Sequence, residues 1–210
     1  VVFPNAGNIT GGGFMVYRTS NGEIGSLDYR ETAPLSSSED MYLDKNGEVV
    51  KDLSRTGGLA VGVPGSVAGI LEVHKKMGSL PLADLIQPSI ELANDGFIVT
   101  EKQSKSLGSK RDEFIKVNGD NTFYGKSFKK GDLIKNPNLA KALNEILLYG
   151  SKGFYEGWVA ESMVKKVNKT GGKMSLKDLK SYEPKWRKPI VFDYKDLKII
   201  SMGPPSSGGI

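Results

Sequence analysis

The chain has 210 residues, of which 38% are hydrophobic and 25% charged, as in an ordinary globular protein. Its 29 basic and 24 acidic residues leave a net charge of only +5, and their scattered positions do not indicate a nucleic-acid-binding protein. There is no cysteine, which excludes disulfides and thiolate metal sites, and no apolar run reaches the about 18–20 residues of a membrane span.

The first predicted element is a β-hairpin. Residues 14–17 and 24–30 are rich in aromatic and β-branched side chains, and Asn21-Gly22 between them supplies the positive φ angles of a tight turn. Because side chains alternate along a strand, Arg30 is predicted at the end of the second strand, on a partly polar face. Such a position would let its side chain reach into a cleft.

The middle of the chain is predicted to be helical, after a loop over residues 34–58. Apolar residues spaced by three and four predict helices at residues 66–77, 81–93, 136–149 and 154–169, with a weaker helix after Thr100. Pro88 should kink or split the second of these. Ser175 with Asp178 three residues later forms a capping box, which predicts a short helix over residues 175–182. Two strands, residues 190–192 and 197–202, end the chain. Helices in the middle and strands near both ends indicate an α+β sandwich.

The densest cluster of basic residues, 102–116, also contains acidic residues. It is therefore interpreted as the solvated face of a helix and not as a nucleic-acid patch. The only histidine, His74, lies on the apolar face of its helix and is interpreted as a packed residue. A catalytic base is less favoured because no Gly-x-Ser-x-Gly nucleophile motif accompanies it. With one histidine and dispersed carboxylates, no metal or other cofactor is predicted.

Two features are candidates for ligand binding. The glycines at 11–13 could cradle a phosphate, but a strand and not a helix follows them, so close backbone packing is the favoured interpretation. Arg30 could bind a substrate carboxylate through its planar fork of donors. A structural ion pair with Glu31 or Asp28, or plain exposure, is the alternative, and the residues alone favour it.

Motifs spread along the chain resemble those of the γ-glutamyltranspeptidases and follow the same order. They are Gly11-Gly12-Gly13-Phe14-Met15, Leu27-Asp28-Tyr29-Arg30-Glu31-Thr32-Ala33-Pro34, Val63-Pro64-Gly65-Ser66-Val67-Ala68-Gly69, Gly96-Phe97-Ile98-Val99, Asp178-Leu179-Lys180-Ser181-Tyr182 and Pro204-Pro205-Ser206-Ser207-Gly208-Gly209. The resemblance covers essentially the whole chain and corresponds to the middle of the family's large subunit.

The resemblance implies part of the αββα sandwich of the N-terminal-nucleophile hydrolases. Residues 1–210 are expected to be an incomplete large-subunit fragment of a single domain, truncated at both ends. The family makes a zymogen that cleaves itself autocatalytically, and the new N-terminal Thr of the small subunit is the nucleophile, with its own α-amine as base. By this resemblance no catalytic residue lies in the chain, and the fragment alone is expected to be inactive.

The implied activity is that of a γ-glutamyl acyltransferase and glutathione hydrolase. The γ-glutamyl group of a glutathione-like donor would pass through an acyl-Thr intermediate to water, an amino acid or a peptide. Arg30 matches the family arginine that binds the donor's α-carboxylate, which leaves the glycines at 11–13 as packing residues. The implied partners are the small-molecule donor and acceptor and the small subunit of the same precursor, and the implied location is periplasmic or secreted.

Two alternatives remain open. The chain could belong to a non-catalytic binding or structural module on the same scaffold, in which case the gene would encode no self-cleavage Thr after Ile210. It could also belong to a family relative that acts on poly-γ-glutamate or on cephalosporin amides. A substrate panel separates that second alternative from a glutathione hydrolase.

Overall fold

The computed structural model describes residues 1–4 and 6–209, with strands near both ends of the chain and helices between them. The strands are β1 (Phe14–Arg18), β2 (Ile24–Asp28), β3 (Phe97–Ile98), β4 (Leu133–Ile134), β5 (Lys185–Arg187), β6 (Ile190–Tyr194) and β7 (Leu197–Ser201). The helices are α1 (Ser66–Met77), α2 (Leu82–Asn94), α3 (Glu101–Asn118), α4 (Pro137–Tyr149), α5 (Lys152–Tyr155), α6 (Gly157–Lys169) and α7 (Leu176–Lys180). The predicted α+β class is confirmed.

The predicted hairpin is confirmed as the antiparallel pair of β1 and β2, to which β5 adds a third strand. The N–H of Thr19 donates to the carbonyl of Glu23 at 2.8 Å to close the turn, where Gly22 has a φ of 91°. Strand β2 ends at Asp28, two residues earlier than predicted. Arg30 therefore lies just beyond the sheet and not within it.

Helices α4 to α7 and the start of α1 provide most of the hydrophobic core. Its buried members are Val63, Val67, Ala68, Ala93, Ala140, Ala142, Leu143, Ile146, Phe154, Tyr155, Val159, Ala160, Met174 and Leu179. Helix α4 shows the predicted amphipathic pattern, because Leu143 and Ile146 are buried while Asn144 is exposed. The core thus anchors α1 and α7, the two helices next to the candidate site.

The single helix predicted over residues 154–169 is wrong, because the structure has two helices there. Glu156 is extended, with φ −131° and ψ 171°, and Gly157 has a positive φ of 64°, which a glycine adopts at little cost. The break was hidden in the sequence because both helices bury apolar residues on either side of it, Phe154 in α5 and Val159 in α6.

Pro88 does not split α2, which is one helix from Leu82 to Asn94. Helix α2 packs along α4. Tertiary packing supplies most of the stability of a helix of this length. The helix therefore tolerates the loss of the one backbone hydrogen bond that a proline cannot donate.

The three shortest strands, β3, β4 and β5, are not predicted from the sequence. β3 pairs with β4 through Phe97 and Ile134, and β5 extends the hairpin sheet by pairing Trp186 with Leu27. Strands of two or three residues are too short for alternation to show in a sequence. The missed strand β5 brings Arg187 next to Asp28.

Helix α3 carries the lysine-rich stretch and has no buried residue. Exposed ion pairs join Lys105 to Glu101 at 3.3 Å and Lys110 to Glu113 at 3.2 Å. The predicted solvated helix face is confirmed. In the described part of the chain, no helix combines the length and the apolar character needed to cross a membrane.

Leu179→Ala is expected to lower the free energy of unfolding by about 2–5 kcal/mol, because it leaves a cavity in the core. Leu179 is 0% exposed, whereas Leu176 in the same helix is 47% exposed. Urea denaturation of the full-length protein measures the loss. The matched control Leu176→Ala should change the free energy of unfolding by less than about 0.5 kcal/mol. Equal losses in the two variants would contradict the assigned core.

Candidate functional site

Arg30 is held by side chains at both of its backbone polar groups. Its N–H donates to Oδ1 of Asp28 at 3.0 Å, and its carbonyl accepts a hydrogen bond of 2.8 Å from the hydroxyl of Tyr182. Beyond a strand end there is no ladder partner for these groups, and unpaired backbone groups are costly where water is excluded. Two side chains therefore fix the backbone from which the guanidinium projects.

The residues on either side of Arg30 pair with backbone. Tyr29 exchanges two hydrogen bonds with Gly13, at 3.0 and 3.2 Å, and Thr32 exchanges two with Val63, at 2.8 and 3.2 Å. Arg30 thus lies between two short stretches of regular pairing. Three of the motifs singled out in the sequence meet at this point of the fold.

Glycines allow these backbones to approach. A Cβ added to Gly12 would lie 2.6 Å from the backbone nitrogen of Glu31, and one added to Gly65 would lie 2.0 Å from the carbonyl oxygen of Tyr29. The carbonyl of Gly11 accepts from the N–H groups of Gly65 and Ser66 at 2.8 and 2.9 Å, at the start of α1. The interpretation of the glycine run as packing residues is confirmed, since it occupies the helix terminus that a phosphate would need.

The side chain of Arg30 is 53% exposed and has one ion-pair contact among the described residues, 3.4 Å from its Nη1 to Oε2 of Glu31. Its Cζ also lies 5.7 Å from the centre of the Phe14 ring. The expected alternative of an ion pair with Glu31 is therefore present. Oε2 of Glu31 is buried and accepts no hydrogen bond in the described structure, whereas the arginine is half exposed. A single contact to a half-exposed arginine is worth about 1 kcal/mol, and it leaves most of the guanidinium donors free for a ligand.

The other expected ion pair, between Arg30 and Asp28, is absent from the described structure because Asp28 has a different partner. Nε of Arg187 lies 2.8 Å from Oδ2 of Asp28, whose side chain is 9% exposed. The two oxygens of Asp28 thus hold the side chain of Arg187 and the backbone of Arg30. Because Arg187 balances this buried carboxylate, the charge of Arg30 remains available.

Tyr182 is one of two stacked tyrosines beside the site. Its ring lies parallel to that of Tyr155, with centres 5.9 Å apart. The hydroxyl of Tyr155 donates to the carbonyl of Pro64 at 2.8 Å and accepts from the N–H of Ala68 at 3.2 Å. Burial, with smaller contributions from Asp28 and Glu31, raises the pKa of Tyr182 to about 12. The hydroxyl is therefore a proton donor at any physiological pH.

Asp178 connects the loop after Arg30 to helix α7. Oδ1 accepts from the N–H of Leu35 at 2.6 Å, and Oδ2 accepts from the N–H and the hydroxyl of Ser175 at 2.7 Å each. Burial alone would raise the pKa of Asp178, but these hydrogen bonds and nearby Lys177 outweigh it and lower the pKa. The capping box predicted from the sequence is confirmed, and its carboxylate has this second role.

His74 lies outside this group of residues. Its Nε2 donates to the carbonyl of Leu80 at 2.8 Å and so closes the loop after α1. This contact confirms the structural interpretation of the only histidine.

Sequence reasoning found Arg30 but missed Arg187 and the contact between Tyr182 and Arg30. Arg187 lies on a strand too short to predict. The hydrogen bond of Tyr182 joins residues 152 positions apart, and no local pattern encodes such a distance. The only sequence signal for these contacts was indirect: Asp28 and Tyr182 both lie in motifs that resemble those of the γ-glutamyltranspeptidases.

The α+β fold and the order of these motifs define part of an N-terminal-nucleophile hydrolase fold, as structural comparison also finds. The chain belongs to the gamma-glutamyltranspeptidase family, whose sequence model matches residues 1–210. The resemblance seen in the sequence is confirmed.

Individual relatives agree with this assignment. The glutathione hydrolase proenzyme of Escherichia coli (strain K12) is 41% identical over all of this chain and 37% of its own length. The crystal structure of the Helicobacter pylori gamma-glutamyltranspeptidase has a TM-score of 0.94 at 47% identity, covering 100% of this chain and 61% of that one. The Pseudomonas nitroreducens gamma-glutamyltranspeptidase, in complex with L-DON, has a TM-score of 0.91 at 38% identity, with 100% and 62% covered. The chain thus spans 37% of the length of the curated relative.

Asp178→Asn is expected to destabilise the full-length protein at pH 7 by about 1–3 kcal/mol, because a buried set of hydrogen bonds to a charged acceptor is lost. The native pKa of Asp178 lies below its ordinary value of 3.8, so its stabilising contribution is present above that pH and is lost as the pH falls through the native pKa. The variant should therefore lose less stability than the wild type on acidification below pH about 4. Urea denaturation at several pH values measures this difference.

Asp112→Asn is the matched control, since the Asp112 side chain is 96% exposed. It should leave both the stability at neutral pH and its acid dependence unchanged. An Asp178→Asn variant with the acid dependence of the wild type would show that the hydrogen bonds do not stabilise the charged carboxylate.

Proposed function

We propose that this chain is large-subunit sequence of a γ-glutamyl acyltransferase and glutathione hydrolase, and that Arg30 binds the α-carboxylate of the γ-glutamyl donor. The proposal includes the view that residues 1–210 are part of a single domain that other sequence completes. Membership in the gamma-glutamyltranspeptidase family and the names of the relatives support the activity.

The observation that carries the role of Arg30 is the contrast between its fixed backbone and its half-exposed side chain. Asp28 and Tyr182 hold the backbone at 3.0 and 2.8 Å, while the side chain is 53% exposed. A guanidinium presented in this way can form two parallel hydrogen bonds to one carboxylate. Its only ion-pair partner in the described structure, Glu31, approaches a single nitrogen.

The contribution of such a contact to the reaction is binding and orientation. A charge-assisted pair remote from the scissile bond holds one end of the donor and directs its γ-amide toward the nucleophile. Because the α-carboxylate does not change charge during acyl transfer, the contact is made in the ground state and in the transition state alike. Its loss should therefore appear mainly in KM.

The chemical step belongs to residues outside this chain. The nucleophile would be the N-terminal Thr of a small subunit, released when the precursor cleaves itself, and this Thr would form the acyl intermediate that water, an amino acid or a peptide resolves. The relatives' description as proenzymes supports a processed precursor. The small subunit and the small-molecule donor and acceptor are the proposed partners, and the proposed location is the periplasm or the cell exterior.

Arg30→Lys in the full-length, processed protein should raise KM for glutathione by about tenfold or more while changing kcat little, because lysine cannot reproduce a bidentate pair worth about 1.5–3 kcal/mol. Steady-state kinetics measures this effect. Arg18→Lys is the matched control, since Arg18 is an exposed arginine at the end of β1 in the same hairpin, and its KM should not change.

An unchanged KM for Arg30→Lys would reject the assigned role. A panel of glutathione, poly-γ-glutamate and cephalosporin amides, assayed with the same preparation, tests the substrate class. A full-length gene that encodes no self-cleavage Thr would instead favour the non-catalytic module.

A further inference from the structure

We propose that Tyr182 is a positioning residue for the donor, whose hydroxyl fixes the carbonyl of Arg30 and so directs the guanidinium. The inference rests on the proposed function of Arg30 and deepens it. It assigns a role to a side chain 152 residues further along the chain, whose hydroxyl donates to the backbone carbonyl of Arg30.

The direction of the Arg30 side chain depends on the orientation of its two peptide groups. Arg30 lies outside β2, and its flanking residues Tyr29 and Thr32 are the ones paired with other backbone. At Arg30 itself, Asp28 fixes the preceding peptide through the N–H, and Tyr182 fixes the following one through the carbonyl. Removal of the hydroxyl would free ψ of Arg30, and with it the direction of a long side chain.

Tyr182 is itself held in place. Its ring stacks on Tyr155, which the core buries to 4% exposure. Gly65 leaves room for the hydroxyl, since a Cβ there would lie 2.1 Å from the Tyr182 oxygen. The ring of Tyr155 and the space left by Gly65 fix the position of the Tyr182 hydroxyl. The hydroxyl can therefore hold the carbonyl of Arg30, to which it donates, in one orientation.

Tyr182 and Tyr155 differ in the backbone carbonyl to which each donates. The two stacked tyrosines each donate one hydrogen bond to a backbone carbonyl, but to different ones. Tyr155 donates to Pro64 at the start of α1, and Tyr182 donates to Arg30. The same Tyr→Phe change removes one donated hydrogen bond from each residue, and at Tyr155 it also removes the bond accepted from the N–H of Ala68. Only the bond of Tyr182 leads to the candidate ligand.

The test is steady-state kinetics with glutathione on the full-length, processed protein, comparing Tyr182→Phe, Tyr155→Phe, Arg30→Lys and the double variant Arg30→Lys/Tyr182→Phe. Tyr182→Phe should raise KM about three- to tenfold, as for the loss of one neutral hydrogen bond, with kcat changed less than about twofold. In the Arg30→Lys background, the same substitution should have almost no further effect on KM, because the bond acts through Arg30.

Tyr155→Phe is the matched control and should lower the thermal midpoint without raising KM. An equal rise in KM for both tyrosine variants would overturn the proposal, since it would indicate general loosening of the stack. A full additional effect of Tyr182→Phe in the Arg30→Lys background would also overturn it.

The outcomes also separate this inference from the proposed function. If Arg30→Lys raises KM and Tyr182→Phe does not, the carboxylate-binding role stands and the positioning role fails. If Arg30→Lys leaves KM unchanged, both fail. If neither Tyr182→Phe nor Tyr182→His, which retains a ring and an N–H donor, gives a folded and processed protein, the hydroxyl is a folding contact and the positioning role is rejected.

Discussion

The site depends on which groups form hydrogen bonds with the backbone N–H and carbonyl of Arg30, which lie outside the sheet. A residue beyond a strand end has no ladder to supply partners for its N–H and carbonyl groups, and here two side chains take that place. Asp28 is local and Tyr182 is distant, so Arg30 connects the hairpin to the segment just after α7, next to the pairing of β5 with β2. The exposed guanidinium extends from a backbone that is held at both of its peptide groups. Arg30 would therefore lose less conformational entropy when a ligand binds its side chain.

Close approach of backbones makes this arrangement possible. The segment that contains Arg30 lies between the glycine run and the start of α1, where a Cβ on Gly12 or Gly65 would overlap backbone atoms of Glu31 or Tyr29. The glycines are therefore a steric requirement of the site and not a ligand loop. The hydrophobic core holds helices α1 and α7 in place beside the site, since Val67 of α1 and Leu179 of α7 are both buried in it.

The sequence predicted what depends on local pattern and missed what depends on distance. The hairpin, α1, α4 and the capping box of α7 were predictable because turn residues, apolar spacing and capping pairs act over a few positions. The break at Glu156 was hidden by continuous apolar character on both sides of it. The contact from Tyr182 to Arg30 joins two motifs that are each readable in the sequence, but their proximity is a property of the fold.

The ion pair between Arg30 and Glu31 is compatible with a carboxylate-binding role. Their closest atoms are 3.4 Å apart, and Oε2 of Glu31 is buried without a hydrogen bond in the described structure. The arginine side chain is half exposed, so water screens its side of the attraction and this single contact is worth about 1 kcal/mol. A ligand carboxylate that forms two charge-assisted hydrogen bonds would gain about twice as much or more. Asp28 would be the stronger competitor because its carboxylate is buried, yet Arg187 already pairs with it at 2.8 Å. The second arginine thus prevents the nearest buried carboxylate from neutralising the first.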